Sequence, residues 1–226
     1  MNIEKKLNND VNVAAFFDLD LTITNVDTFR AFLKRYYVHS PFKIHLVLFI
    51  FAKGLLRKLR LISLKSFKEA GLVGLKGMTK EQVLNLGDVF FNKYLKCHIR
   101  NDIIKEIKKH KSKDRAVYIV SASPDVYVRA IASYLNCDGY ICTALEYENG
   151  IFSGKILGND CIGVQKFHLV KQLSDEKNIN LDLSYVYSDH EVDLPLLENI
   201  GNTIAVCPTQ ALRDISDKKG WLIVDW

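Results

Sequence analysis

Short apolar runs alternate with longer segments of helical periodicity over most of the chain. The runs are apolar almost throughout, which is typical of strands that are covered on both faces. Strands that alternate with helices predict an α/β fold, in which a parallel sheet carries helices on both sides. The predicted strands lie at residues 13–19, 116–120, 140–142, 183–187, 203–206 and 221–224.

One long segment contains helical patterns alone. Between the first and second predicted strands, the spacing of apolar residues predicts helices at 28–37, 42–61, 63–76 and 79–96. Ser40-Pro41 separates the first two, and Thr79 with Gln82 forms a capping box that starts the last. We therefore expect an all-helical insertion at residues 26–96, inside a core made of residues 1–25 and 97–226. Later in the chain, Asn149-Gly150 predicts a tight hairpin.

Three of the predicted strands end in polar residues. Asp18 and Asp20 follow the first strand, Ser121 and Ser123 the second, and Ser188, Asp189 and Asp193 the fourth. Ligands of parallel α/β sheets bind beyond the carboxyl ends of the strands, so these residues are expected to converge. In an extended chain Asp18 and Asp20 would share a face. Ser123 is interpreted as a helix cap.

The chemistry of this set indicates a phosphate site. Several carboxylates in one place repel each other, and a hard divalent cation such as Mg²⁺ relieves that repulsion. Lys166 and the Ser121 hydroxyl suit phosphate oxygens. An aspartate can act as the nucleophile that forms an aspartyl-phosphate, and a second carboxyl group can then transfer protons.

The motifs resemble those of the haloacid dehalogenase superfamily, in the branch that contains phosphoserine phosphatase. They are Asp18-Leu19-Asp20-Leu21-Thr22, Ser121-Ala122-Ser123, Lys166, and Asp189 with Asp193, and they occur in the family's order. The resemblance covers roughly residues 13–226. It implies a Rossmann-like core with a small inserted helical cap domain, and a Mg²⁺-dependent phosphatase that acts on a phosphomonoester.

The resemblance also implies a role for each residue. Asp18 is expected to be the nucleophile and a metal ligand, and Asp20 the general acid and base whose main-chain carbonyl also binds the metal. Asp189 is expected to be a further metal ligand, and Asp193 to support the metal or Lys166. The residues expected at the phosphate or the substrate are Thr22, Ser121, Ala122, Lys166 and Asp27.

Several departures from the phosphoserine phosphatase pattern leave the substrate open. Asp27 stands where that pattern has a glutamate, and Leu21 where it has serine or glycine. Ala122-Ser123 replaces a pair of glycines, and Val192 an asparagine. Phosphoserine, another small metabolite such as histidinol phosphate, and a phospholipid head group all remain candidates. A phosphotransferase or mutase on the same scaffold is a nearer rival than a non-catalytic binding protein.

The net charge of +5 is concentrated in one segment. Residues 28–68 contain ten Lys or Arg and no Asp or Glu. Within it, residues 41–62 combine basic residues with an apolar run, Leu46 to Ala52, that is too short to span a membrane. Either these helices pack together in the cap, or they bind an anionic membrane surface. Some members of this branch act on phosphatidylglycerophosphate and have a similar apolar stretch.

Composition also bears on whether the protein binds nucleic acid and on where in the cell it lies. The basic residues of this segment alternate with aliphatic side chains rather than with the aromatic residues that stack on bases, so we expect no nucleic-acid partner. The five cysteines form no C-x-x-C motif, and the polar start does not resemble a signal peptide. We therefore expect a cytoplasmic protein, peripheral to the inner face of the membrane if residues 41–62 bind lipid.

Overall fold

A six-stranded parallel sheet lies at the centre of the structure, a computed structural model that describes residues 12–38 and 44–226. Its order is β3-β2-β1-β6-β7-β8. The strands are β1 (Ala14–Phe17), β2 (Ala116–Pro124), β3 (Gly139–Thr143), β6 (Tyr185–Ser188), β7 (Asn202–Val206) and β8 (Leu222–Val224). A separate antiparallel hairpin is formed by β4 (Leu145–Glu148) and β5 (Ile151–Ile156).

Strand β1 lies in the middle of the sheet because all its side chains are apolar and fully buried. Phe16 packs in the core on one side and stacks on Tyr118, whereas Phe17 packs in the core on the other side and stacks on Tyr187. This alternation is the period of two expected for a strand covered on both faces. The predicted α/β class is confirmed.

The register brings the ends of three strands together. Phe17 aligns with Ile119 of β2 and with Tyr187 of β6. The residues that follow these positions therefore lie at the same edge of the sheet. This is the edge at which the sequence predicts a site.

The helices lie in two groups. Among the described residues, four lie within the predicted insertion at 26–96, and the others, beginning with the helix just before β2, alternate with the strands of the sheet. The first group is α1 (Thr28–Val38), α2 (Ile44–Lys58), α3 (Leu64–Leu72) and α4 (Lys80–Lys93). The second is α5 (Asn101–Lys111), α6 (Asp125–Tyr134), α7 (Val164–Lys177), α8 (Leu194–Leu197) and α9 (Gln210–Lys219).

The described part of the predicted insertion is helical, and its boundaries at 26 and 96 stay a prediction. The capping box is present at the start of α4, where Thr79 and Gln82 bond reciprocally. The hairpin of β4 and β5 turns at Asn149-Gly150, both at positive φ. It also bonds the segment between α3 and α4, since the Phe152 N–H donates to the Met78 carbonyl at 2.8 Å. The Ser40-Pro41 interruption lies outside the described residues.

Some predicted bounds were wrong. The first strand ends at Phe17 rather than at residue 19, because Leu19–Ile23 closes into a tight turn. The second strand does not end at Val120 but continues to Pro124, which pairs with Thr143 of β3. The helix predicted at 79–96 ends at Lys93 and gives way to the 3₁₀ turn Leu95–His98.

Candidate active site

Asp18 is the first residue after β1. Its N–H donates to the Tyr187 carbonyl of β6 at 2.9 Å, which fixes the backbone at the edge of the sheet. Its carboxylate accepts a hydrogen bond from the Lys166 ammonium, with 2.6 Å between Nζ and Oδ1. The nearest cation to the predicted nucleophile is therefore the lysine that the sequence predicts for phosphate binding.

Lys166 lies between two carboxylates. It comes from the first turn of α7, is 2% exposed, and also donates to Oδ2 of Asp193 at 2.6 Å. The Ser188 hydroxyl donates to the same Asp193 oxygen at 2.8 Å. Burial opposes the charge of Lys166, but Asp18 and Asp193 outweigh it and raise the pKa of the ammonium. Lys166 is thus a fixed cation, and Asp193 contacts Lys166 as one of its two predicted roles requires.

The carboxylates of the site destabilise one another's charged forms. Burial raises the pKa of Asp18 well above its usual range; Lys166 opposes this shift, and the carboxylates of Asp193, Asp189 and Asp20 add to it. Burial likewise raises the pKa of Asp189 to about 6. Anionic groups in a dry site favour a bound cation or a proton.

The turn after Asp18 explains how Asp20 and Thr22 reach the site. The N–H of Ile23 returns to the Asp18 carbonyl, and that of Thr24 to the Leu19 carbonyl. The turn places Leu21 at φ 60°, a left-handed conformation that is unusual for leucine. Asp18 and Asp20 are therefore brought together by a tight turn, and not by the extended chain that their spacing suggested.

Asp20 is held by three donors. Thr28, the first residue of α1, donates its N–H at 2.5 Å and its hydroxyl at 2.6 Å, both to Oδ1. The Ser123 hydroxyl donates to Oδ2 at 2.8 Å. Burial raises the pKa of Asp20, and these hydrogen bonds from Thr28 and Ser123 oppose that shift. The interpretation of Ser123 as a helix cap is wrong, because its hydroxyl lies on the predicted general acid.

The remaining predicted phosphate-site residues lie close by. The Thr22 hydroxyl is fully buried and is 3.4 Å from Oδ1 of Asp189. The Ser121 hydroxyl is also fully buried and accepts the Ser123 N–H at 3.0 Å. The Ala122 carbonyl accepts the Thr143 hydroxyl at 2.8 Å. These residues join the ends of β1, β2 and β6 into one site.

Asp27 makes local contacts. Its Oδ1 accepts the Arg30 N–H at 2.9 Å, and its Oδ2 forms an ion pair with the Arg30 side chain at 3.1 Å. It therefore caps the start of α1, and its predicted contact with substrate stays a prediction. His190 is about half exposed, and its Nδ1 accepts the Val192 N–H at 3.1 Å.

Comparison with known proteins supplies the family. The profile of haloacid dehalogenase-like hydrolases matches residues 15–198. The chain belongs to this family. Its predicted family, its fold and its activity as a phosphatase are confirmed.

Relatives found by sequence are consistent with this family, and solved structures share the fold. Phosphoserine phosphatase SerB1 of Mycobacterium tuberculosis is 27% identical over 221 residues, covering 96% of this chain and 72% of the relative. A protein of unknown function from Bordetella pertussis has a TM-score of 0.82 at 23% identity, covering 95% and 99% of the two chains. A substrate-bound phosphoserine phosphatase has a TM-score of 0.65 at 19% identity, covering 95% and 93%.

Haloacid dehalogenase-like phosphatases generally use Mg²⁺. Among the described residues, no group of three or more His, Cys, Asp and Glu side chains is already arranged to hold a metal. The charge of the site nevertheless fits such an ion, because Asp18 and Asp189 are buried and repel each other. Mg²⁺ needs few protein ligands and keeps waters and phosphate oxygens in its shell. Asp18, the Asp20 carbonyl and Asp189 are the predicted ligands that fit it. Asp18 contacts Lys166 through Oδ1, whereas Asp193 accepts hydrogen bonds from both Lys166 and Ser188 at Oδ2.

Sequence reasoning missed a buried lysine that contacts the Ala122 carbonyl. Lys68 of α3 is 5% exposed, and its ammonium lies 2.5 Å from the Ala122 carbonyl and 2.7 Å from Oδ1 of Asp160. The same Asp160 oxygen lies 2.6 Å from the Thr143 hydroxyl oxygen. This buried ion pair joins the helical insertion to the core. Only the presence of one lysine among the apolar positions of α3 hinted at it.

Proposed function

We propose that this phosphatase hydrolyses a small phosphomonoester through an aspartyl-phosphate on Asp18, with Mg²⁺ as its cofactor. The observation that supports it most strongly is the contact of Asp18 with Lys166 at 2.6 Å, at the carboxyl end of the central strand. A nucleophile and a fixed cation are thus side by side where a phosphate group would be attacked.

The first half-reaction would use Oδ2 of Asp18, since Lys166 contacts Oδ1. This oxygen forms a bond to phosphorus while the bond from phosphorus to the ester oxygen breaks. Protonated Asp20 gives its proton to that ester oxygen, which leaves as an alcohol. Lys166 and the Ser121 hydroxyl would stabilise the negative phosphate oxygens, and Mg²⁺, when bound, supplies further positive charge.

The second half-reaction would release the phosphate. Asp20, now ionised, accepts a proton from a water molecule. The water oxygen attacks phosphorus, and the bond from Asp18 to phosphorus breaks. Inorganic phosphate leaves, and both carboxyl groups return to their starting states.

Phosphate release from a substrate panel tests this proposal. The panel contains p-nitrophenyl phosphate, phosphoserine, histidinol phosphate, phosphosugars and phosphatidylglycerophosphate, each with Mg²⁺ and with EDTA. We expect turnover with Mg²⁺, its loss in EDTA, and no turnover by Asp18→Asn. Turnover that persists in EDTA would contradict the role of the metal. Release of p-nitrophenol without inorganic phosphate, and only when an acceptor alcohol is added, would favour a phosphotransferase.

One surface favours a second candidate, a phosphatase of lipid phosphates at an anionic membrane. In the described residues no helix is both long enough and apolar enough to cross a bilayer. Helix α2 instead exposes large apolar side chains, since Leu48, Phe51 and Leu55 are 66%, 75% and 54% exposed. Their spacing of three and four residues places them on one face.

Basic side chains accompany this face. Arg57 and Lys58 are exposed near the end of α2, and Arg60 follows it. An exposed apolar face with basic neighbours is the pattern of a helix that lies in the head-group region of an anionic membrane. Of the predicted segment 41–62, residues 41–43 lie outside the described residues.

Co-sedimentation with vesicles tests this candidate. We expect binding to vesicles that contain anionic lipid at low salt, weaker binding to neutral vesicles, and loss of binding in Phe51→Ser combined with Leu55→Ser. Leu222→Ser is the matched control, because Leu222 is 61% exposed on β8. Equal sedimentation of all variants, or none with anionic vesicles, would contradict a membrane role.

A further inference from the structure

Three buried hydroxyl groups surround the Asp20 carboxyl. They belong to Thr28, Ser123 and Tyr127, which are at most 2% exposed. Oγ1 of Thr28 is 3.0 Å from Oγ of Ser123 and 3.1 Å from the Tyr127 hydroxyl. The Tyr127 hydroxyl is 3.1 Å from Oγ of Ser123. The three oxygens form a triangle, and two of them touch Asp20.

We propose that Ser123, held in place by Tyr127, is a positioning residue that orients the Asp20 carboxyl for proton transfer. This rests on the proposed role of Asp20 as general acid and base. Ser123 and Tyr127 would act through Asp20 and would not touch the substrate.

The two carboxyl oxygens of Asp20 are held by different residues. Thr28 contacts Oδ1 through both its N–H and its hydroxyl, and Ser123 contacts Oδ2. Contacts to Oδ1 alone leave the carboxyl group able to turn about its own bond, because the terminal torsion of aspartate is broad. The Ser123 hydroxyl therefore decides the direction in which Oδ2 points.

Ser123 is itself fixed from two sides. Its N–H donates to the Ser121 hydroxyl at 3.0 Å, and its own hydroxyl contacts that of Tyr127 on α6. Tyr127 is fully buried, and its ring packs 5.6 Å from Phe32 and 5.4 Å from Phe90, measured between ring centres. A rigid ring thus supports the hydroxyl that supports Asp20.

Hydroxyl groups suit this task because they can donate or accept a hydrogen bond. Ser123 can donate to the carboxylate, or accept from the carboxylic acid, without displacement of either heavy atom. Glycine, which the resemblance leads one to expect at position 123, could do neither through a side chain. The hydroxyl is a feature of this chain.

The way in which kcat/KM depends on the leaving group distinguishes a misplaced general acid from a variant whose active site is disturbed as a whole. A phenol that carries a nitro group leaves with little help, whereas unsubstituted phenol needs a proton. We would measure kcat/KM for p-nitrophenyl phosphate and phenyl phosphate with Mg²⁺, because this quantity reports the steps up to formation of the phosphoenzyme. The variants are Ser123→Ala and Tyr127→Phe.

The matched control is Ser174→Ala. Ser174 is also a buried serine, but its hydroxyl bonds the Val170 carbonyl within α7. Its variant should change neither rate by more than about twofold. Thermal unfolding of each variant shows whether it folds as the wild type does.

We expect Ser123→Ala to lower kcat/KM about tenfold for phenyl phosphate and far less for p-nitrophenyl phosphate, with a smaller change of the same kind in Tyr127→Phe. Equal losses for both substrates, or no loss for either, would overturn the role of Ser123. If the wild-type enzyme releases no phosphate from these two compounds or from any other substrate of the panel, the proposed function itself fails, and the inference falls with it.

Discussion

The edge of the sheet and the outer face of α2 place their side chains in opposite kinds of environment. At the sheet edge, buried charged groups contact one another, as Lys166 does with Asp18 and Asp193 at 2.6 Å each. On α2, by contrast, apolar side chains such as Phe51 and Leu55 are more than half exposed. One region places charge where water is scarce, and the other places apolar surface where water is abundant.

Neither arrangement is the one that stability alone would favour. Burying charge costs free energy unless the charges are paired, and exposing apolar area forgoes hydrophobic stabilisation. Such departures from the usual pattern are expected at sites of function. We therefore propose chemistry at the sheet edge and an interaction at α2, and the following experiments test each proposal.

Asp18→Asn should have the largest effect. We expect kcat to fall at least about 10³-fold, because an amide is a poor nucleophile at this position. The fold should persist, as the amide is nearly the same size. Asp175→Asn, at an exposed position of α7, is the control and should keep full activity. Substantial activity in Asp18→Asn would contradict the proposal that the reaction takes place at the sheet edge.

Lys166→Met should reduce both activity and stability. Removing the ammonium leaves two buried carboxylates without their cation, which costs about 3 kcal/mol or more. Urea unfolding in EDTA measures this free energy. Lys171→Met is the control on the same helix, since Lys171 pairs with Asp175 at an exposed position, and it should change stability by about 0.5 kcal/mol or less. Equal stability of the two variants would show that the buried pairing is unimportant.

His110 gives the core a dependence on pH. It is 1% exposed and lies 2.8 Å from the Tyr187 hydroxyl. Burial lowers its pKa to about 4; the charge of Glu106 opposes this shift, and that of Arg115 adds to it. An unfolded histidine titrates near pH 6.5. Between pH 7 and pH 5 the unfolded chain therefore gains a proton that the folded chain does not. Stability falls as pH falls, by roughly 2 kcal/mol from this group.

Urea unfolding at pH 7 and at pH 5 measures this contribution. Between pH 7 and pH 5, the free energy of unfolding of His110→Gln should fall by roughly 2 kcal/mol less than that of the wild type. His45→Gln, at an exposed position of α2, serves as the control and should follow the wild type. The same pH dependence in all three proteins would refute the role assigned to His110.

The smallest effect on stability is expected on α2. Leu55→Ala should change the free energy of unfolding by about 0.5 kcal/mol or less, because Leu55 is 54% exposed. Leu72→Ala, at a fully buried position of α3, should cost about 2–5 kcal/mol. A large cost at Leu55 would show that the face of α2 packs within the chain, and would weaken the case for a membrane.

The sequence predicted the features that depend on local patterns. Apolar runs gave the strands, Thr79 with Gln82 gave the start of α4, and Asn149-Gly150 gave the hairpin. The convergence of Asp18, Lys166 and Asp193 also followed, because parallel strands end at one edge and the motifs stand in family order.

Contacts between distant residues could not be predicted in this way. Lys68 and Asp160 are 92 residues apart, and Ser123 lies 103 residues from Asp20. No periodicity marks such pairs, since the first depends on how the helical insertion packs on the core and the second on how β1 and β2 align in the sheet. The turn at Leu21 was missed for another reason, because leucine rarely adopts a left-handed conformation.

A trapped phosphoenzyme would test the central claim most directly. The enzyme is mixed with p-nitrophenyl phosphate and Mg²⁺, quenched in acid within one turnover, and digested for peptide mass analysis. We predict phosphate on the peptide that contains Asp18, and none in Asp18→Asn. Turnover without phosphate on that peptide, or phosphate on another residue, would contradict the account.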